Sequence, residues 1–360
     1  MGYRKALIGA THGVYSLVED AEMPNLQSGQ MLCKVVAVSP NPMDVKFIDY
    51  SPVPGVGGYD FAGVVSKLGE DVTRFKVGDK VFGFTFGLNP NNLAAGSFSD
   101  LAIATQDLAC HVPDSVSFHE AATMAGAIGT AGYALYKQLQ LPTKNVDTSV
   151  PTYVLVSGGT SATGRLAIQL LKWSGLSPIA TCSAQNRLTL KSLGALETFD
   201  YSSATCGPEI KSYTRNTLAH VLDCITTAET MEMCFQAMGS GGGRYTSLDP
   251  PPTHVKYTRR DITVDWVMSL SMFGESVALD GVYGRPAIPA DRQFAAEWYL
   301  TAEKLIADGL LKPPPFHARE GGLAAVQQGI ADIRERKTRG KLVYGLLNDI
   351  SSSPDTVIAL

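Results

Sequence analysis

From Tyr153 to Gly164 the chain reads Tyr-Val-Leu-Val-Ser-Gly-Gly-Thr-Ser-Ala-Thr-Gly, an apolar strand entering a loop of small residues that opens a helical stretch. Small side chains there let backbone N–H groups come close to an anion, and a helix N-terminus favours negative charge. The chemistry this spacing suits is the holding of a pyrophosphate by Ser161, Ala162, Thr163 and Gly164. Gly158 is expected to make the turn and Gly164 the close helix–strand contact. Glycine also serves ordinary turns, so the strand before the loop and the helix after it carry much of the argument.

The next apolar run, Pro178 to Thr181, leads into Cys182-Ser183-Ala184-Gln185-Asn186-Arg187. A ribose 2′-hydroxyl is commonly met by a carboxylate at this place, whereas a 2′-phosphate calls for hydroxyl, amide and cationic donors. Ser183, Asn186 and Arg187 are donors and no carboxylate stands among them, so NADP(H) is expected over NAD. The same residues also suit the capping of the following helix. Tyr201 closes the next apolar stretch, where it can lie against adenine, reach the 2′-phosphate or serve as a plain strand-edge aromatic.

Asn41-Pro42-Met43-Asp44-Val45-Lys46 follows another apolar strand, and Pro42 with Pro40 just before it suggests a rigid loop presenting polar groups. Lys46 is a candidate donor to a nicotinamide ribose or to charge growing on a substrate oxygen, against the plain alternative of a solvated lysine. Asp44 reads equally as a helix cap. Thr123-Met124-Ala125-Gly126-Ala127-Ile128-Gly129-Thr130-Ala131-Gly132 is a helical stretch with three glycines, which weaken a helix. Either the backbone must let something pass close by, with Thr130 as a hydroxyl near the nicotinamide, or the helix packs tightly.

Two kinds of element must position these groups. Up to about residue 118, short β-rich runs at 31–39, 61–69, 79–87 and 97–104 alternate with Pro and Gly clusters, as in a small barrel. Between about 151 and 285, strand and helix alternate, the pattern of a parallel sheet with crossover helices and cofactors at the strand C-termini. After 286 come a long helix from Asp291 to Asp308, a second whose Leu323, Val326, Ile330 and Ile333 share a face, and a closing strand Lys341-Leu-Val-Tyr-Gly-Leu-Leu.

A chain of 360 residues exceeds what one core usually organises, so two domains with a ligand cleft are expected. A net charge of -4 lacks the basic excess that a phosphate backbone requires, which argues against nucleic acid. No apolar run reaches bilayer length and no signal segment stands at the start, so no membrane partner and a cytoplasmic location are expected. Six cysteines without a C-x-x-C pair point to reduced thiols, not to zinc or disulfides.

Asn41 to Lys46, Gly58-Tyr59-Asp60-Phe61-Ala62-Gly63, Gly78-Asp79-Lys80-Val81-Phe82-Gly83, Gly159 to Gly164 and Phe199-Asp200-Tyr201 occur in family order along nearly the whole chain. Together they resemble the quinone-oxidoreductase-like branch of the medium-chain dehydrogenase/reductase superfamily. They look closest to the trans-acting enoyl reductases of fungal highly reducing polyketide synthases. The resemblance implies an α/β fold: a GroES-like β-rich catalytic domain from residues 1–125 and 286–360, and an inserted Rossmann doubly wound parallel sheet over 126–285. Zinc-dependent relatives carry Cys near Met43 and Gly-His-Glu at Gly58-Tyr59-Asp60, so no metal is expected.

The resemblance also implies roles. Asn41, Pro42, Met43, Asp44, Ser161, Ala162, Thr163, Gly164, Ser183, Ala184, Gln185, Asn186, Tyr201, Leu248 and Asp249 would line the cofactor, with Thr338, Arg339, Gly340 and Lys341 closing over it. Thr123, Met124, Ala125, Gly126, Ala127, Ile128, Gly129 and Thr130, with Ser269, Leu270, Ser271, Met272 and Phe273, would line the substrate channel. Hydride from NADPH would reach the β-carbon of a carrier-bound enoyl thioester, with Lys46 and Thr130 as catalytic donors to the developing enolate oxygen. The partner implied is the acyl carrier protein of a polyketide synthase or synthase–peptide synthetase hybrid, met through the basic run Arg334, Arg336, Lys337, Arg339 and Lys341 or by other means. A monomer is compatible with all of this. A free enone or quinone reductase of the same fold and a non-catalytic cofactor-binding relative are the alternatives.

Overall fold

The computed structural model describes residues 3–11, 13–144, 149–338 and 340–346. The chain divides into two compact units, one of Met1–Ala125, Ala278–Gly284 and Pro315–Leu360, the other of Gly126–Val277 and Arg285–Pro314.

In the first unit, strands Phe316–Arg319, Lys341–Gly345, Gln30–Val38, Asp60–Leu68, Lys80–Phe84 and Ala109–His111 form a sheet in that order, and Leu101–Thr105 pairs with Gln30–Val38. A second sheet orders Val14–Glu22, Tyr3–Thr11 and Gly55–Val56. Along Gln30–Val38 the burial alternates at first and then becomes continuous over 35–38, as a strand does when both of its faces become covered. The closing strand returns from far along the chain to pair antiparallel with it, Tyr344 opposite Val38. Helix Gly322–Arg334 buries Leu323, Val326 and Ile330, three of the four apolar residues that the periodicity picks out.

In the second unit six strands are parallel, in the order Glu197–Phe199, Ser177–Thr181, Tyr153–Ser157, His220–Asp223, Gly243–Ser247 and Ile262–Trp266. Numbered along the chain this is 3-2-1-4-5-6, the doubly wound order of dinucleotide-binding folds. Its reversal between Tyr153–Ser157 and His220–Asp223 puts the ligand crevice at the C-terminal ends of those two strands. Leu155, Ile179, Val221 and Tyr245 from the strands and Met231, Cys234 and Phe235 from helix Ala228–Ala237 make a core on one face.

The glycine-rich stretch is resolved in favour of packing at two of its positions. A Cβ on Gly132 would lie 2.0 Å from the Trp298 ring, and one on Gly129 2.6 Å from the Tyr299 hydroxyl. Helix Pro289–Ala307 brings both aromatics, and Trp298 Nε1 donates to the Ile128 carbonyl at 3.0 Å. That helix therefore belongs with the parallel-sheet unit, and the expected boundary at 286 gives way to a return to the first unit at Pro315. All six cysteines are free thiols. No helix of the described residues is long and apolar enough to cross a membrane.

Candidate active site

The loop after Tyr153–Ser157 is shaped by its neighbours. Gly158 has φ +74°, its N–H donates to Thr181 Oγ1 at 3.0 Å, and the Gly159 N–H donates to the Thr181 carbonyl at 3.1 Å. Ser161 caps helix Ala162–Trp173 by accepting from the Gly164 amide at 3.0 Å. A Cβ on Gly164 would stand 2.6 Å from the Gly158 carbonyl, too close for any side chain. The first turn of the helix contains no acid of its own, a composition that leaves the positive end of the helix unneutralised from within. Ser161, Ala162 and Thr163 are half-buried and Gly164 is buried.

One strand over, Asn186 Nδ2 donates to Ser183 Oγ at 3.0 Å, and both side chains are half-buried while Ala184, Gln185 and Arg187 are exposed. Tyr201 is exposed beyond the edge strand. Its neighbour Asp200 accepts from the Ser202 amide at 3.0 Å and hydroxyl at 2.7 Å, and these bonds, with Arg187 nearby, hold its carboxyl below the usual range. Leu248 and Asp249 follow Gly243–Ser247 and are half-buried, and Ser247 Oγ donates to the Asp249 carbonyl at 2.7 Å. Sequence reasoning missed the buried Asp223, which ends the strand across the switch point. Its carboxylate accepts from Thr230 Oγ1 at 2.7 Å, the Tyr245 hydroxyl at 2.8 Å and the Ile225 amide at 3.0 Å.

In the first unit, the residues after Asn41 form a helix instead of the expected loop. Pro42 opens helix Pro42–Phe47 in the one turn where its missing N–H costs nothing. Asp44, fully buried, accepts the Asn41 amide through Oδ2 at 2.7 Å. Burial pushes its carboxyl up to about 8, against the downward pull of the Asn41 amide; Asp60 pushes it up further and Lys341 draws it down. Lys46 is half-buried on the same helix.

Lys341, expected beside the cofactor, is buried. Its ammonium turns into the unit and donates to Asp60 Oδ2 at 2.9 Å and Asn41 Oδ1 at 2.6 Å, with the two charged side chains 8% and 0% exposed. Thr338 is half-buried, Gly340 is exposed, and Arg339 lies outside the described residues. The basic run breaks up accordingly: Lys337 pairs with Glu335, and Arg334 donates to the Val45 carbonyl at 3.1 Å. No group of three or more His, Cys, Asp or Glu among the described residues could hold a metal ion.

The expected channel residues Thr123, Met124, Ala125, Ala127, Ile128 and Gly129 are buried, as are Ser269, Leu270, Ser271 and Met272, while Phe273 is half-buried. Thr123 donates its hydroxyl to the Glu120 carbonyl at 2.6 Å. Thr130 is half-buried, and its hydroxyl has no hydrogen-bond partner among the described residues.

Two family profiles match, the alcohol dehydrogenase GroES-like domain over residues 27–114 and the zinc-binding dehydrogenase domain over residues 162–267. The chain is 48% identical over 346 residues to a trans-enoyl reductase of Gibberella fujikuroi, covering 95% of this chain and 99% of that one. It is 42% identical to a trans-enoyl reductase of Penicillium oxalicum, with 96% and 97% covered. Among solved structures, the CurK enoyl reductase superposes with a TM-score of 0.75 at 19% identity, covering 96% of this chain and 99% of that one, a likeness of fold. Fold, ordered motifs and full-length identity agree: the chain belongs to the trans-enoyl reductases of the alcohol dehydrogenase family, built from a GroES-like unit and a Rossmann unit.

Proposed function

We propose that this chain reduces the α,β double bond of an enoyl thioester with NADPH, the substrate arriving on the acyl carrier protein of a polyketide synthase. A nicotinamide cofactor follows from the family. The observation that carries the reading is the glycine cradle with its Ser161-capped helix, standing at the reversal of a 3-2-1-4-5-6 parallel sheet. When bound, the nicotinamide supplies the hydride for the β-carbon.

The chain's own residues supply binding, orientation and charge. The free amides at the start of helix Ala162–Trp173 suit the pyrophosphate. Ser183 and Asn186, already bonded to each other, and the exposed Arg187 suit a 2′-phosphate, which supports NADPH over NADH. Hydride addition to the β-carbon makes an enolate, whose negative charge sits on the thioester oxygen until the α-carbon takes a proton from solvent, and a donor stronger for that oxyanion than for the neutral carbonyl lowers the barrier. The Thr130 hydroxyl, uncommitted to any other described residue, is one such donor, and Lys46 is the other.

The zinc of the family profile's name does not fit here. Asp60, at the place of the zinc-dependent relatives' Glu, is engaged by an ammonium, and no metal donor set forms among the described residues.

Lys46→Ala and Thr130→Ala test the assignment. Each is expected to lower kcat by about 10²–10³ at saturating NADPH, the usual cost of one oxyanion donor. Near-normal turnover in both would remove these residues from the chemistry.

A further inference from the structure

An ammonium and a carboxylate lie inside the first unit, each at the head of a strand whose next residue is apolar, Leu342 and Phe61. Asp60 opens Asp60–Leu68 and Lys341 opens Lys341–Gly345, positions 281 residues apart brought to 2.9 Å. Removing two charges from water is expensive, and well-packed apolar residues often do as well for stability. The pair therefore calls for an explanation beyond holding the fold together.

The third member supplies it. Asn41 accepts from Lys341 through Oδ1 at 2.6 Å and donates through Nδ2 to Asp60 Oδ2 at 3.0 Å and to the Ser39 carbonyl at 3.1 Å. Every polar atom of its amide group is thus committed, and its orientation is fixed. Its main-chain N–H then bonds Asp44 at the start of helix Pro42–Phe47. Six residues are too few for a helix to hold itself in water, so its placement is imposed from outside. A second stitch, from Ser39 Oγ to the Leu342 carbonyl at 2.7 Å, ties strand Lys341–Gly345 to the residue two before Asn41.

We propose that Lys341 and Asp60 are positioning residues: through Asn41 they hold helix Pro42–Phe47, and with it Lys46, in the arrangement that the reductase uses. The proposal rests on the reading of Lys46 given above.

The double variant Asp60→Asn/Lys341→Met removes both charges while nearly keeping their shapes. We expect it to melt cooperatively, with amide hydrogen exchange over residues 41–47 about ten-fold faster and the parallel-sheet strands unchanged. KM for NADPH should rise about ten-fold with a smaller loss of kcat, and Lys341→Arg, which keeps the cation, should recover most of both. A folded double variant with native exchange at 41–47 and native KM overturns the proposal. If the double variant does not fold, Asn41→Ala leaves the ion pair whole and cuts its link to the helix; the same faster exchange is expected, and native exchange again overturns the idea. Exchange is measured without nucleotide or substrate, so this result stands apart from the reductase reading, which fails only if the native protein leaves NADPH unconsumed.

Discussion

Burial, more than any charged neighbour, holds the Asp44 carboxyl up to about 8 in the folded chain. An unfolded chain releases that proton near pH 4. Between about pH 4 and 8 the folded state is then the one that keeps the proton, so this residue's contribution to stability falls as pH rises through that window and levels off above it. Asp44→Asn removes the slope. Its melting temperature, compared with the native protein's, should gain steadily from pH 5 to pH 8; a difference independent of pH would contradict the assignment. Such a residue is only half legible in sequence. Asn41-Pro42-Met43-Asp44 reads as a rigid loop with Asp44 as a candidate helix cap, but the burial that sets its ionisation, and its neighbours Asp60 and Lys341, come from other parts of the chain. A charge opening an apolar strand signals a buried pair, yet nothing local tells Asp60 which cation it meets.

Helices show the same division between what is local and what is not. The run of small residues at 123–132 reads equally as space for a ligand and as space for another helix. Trp298 and Tyr299, some 170 residues away, decide it for Gly132 and Gly129. Gly132→Ala should therefore destabilise the protein, although alanine is the better helix former. The Trp298 ring must move, and overpacking of this kind costs about 1–3 kcal/mol. Urea unfolding checks it, and a variant more stable than the native protein would mean that the ring is easily displaced. The basic run at 334–341 misleads for a related reason. Lys341 starts a strand and points inward, and Lys337 is occupied by Glu335, so consecutive cations do not make one surface.

Across the whole molecule, the periodicities proved more informative than any single residue. Alternation of strand and helix from Tyr153 onward foretold the parallel sheet, and the turn-punctuated runs before residue 118 foretold the β-rich unit. Both follow from the chain's need to bury one face of each element, a need written locally. Which unit the long helix Pro289–Ala307 joins depends on contacts with Gly129 and Gly132, which no local pattern records. The account's central claim, reduction of a carrier-bound enoyl thioester by NADPH, is tested most directly by mixing the purified protein with that tethered substrate. Nucleotide oxidation is followed by absorbance and the acyl chain by mass spectrometry. We expect NADPH to be consumed in step with the appearance of the saturated thioester, and NADH to be used far more slowly. Contradiction would be an acyl chain left unsaturated while NADPH persists, or NADH serving equally well.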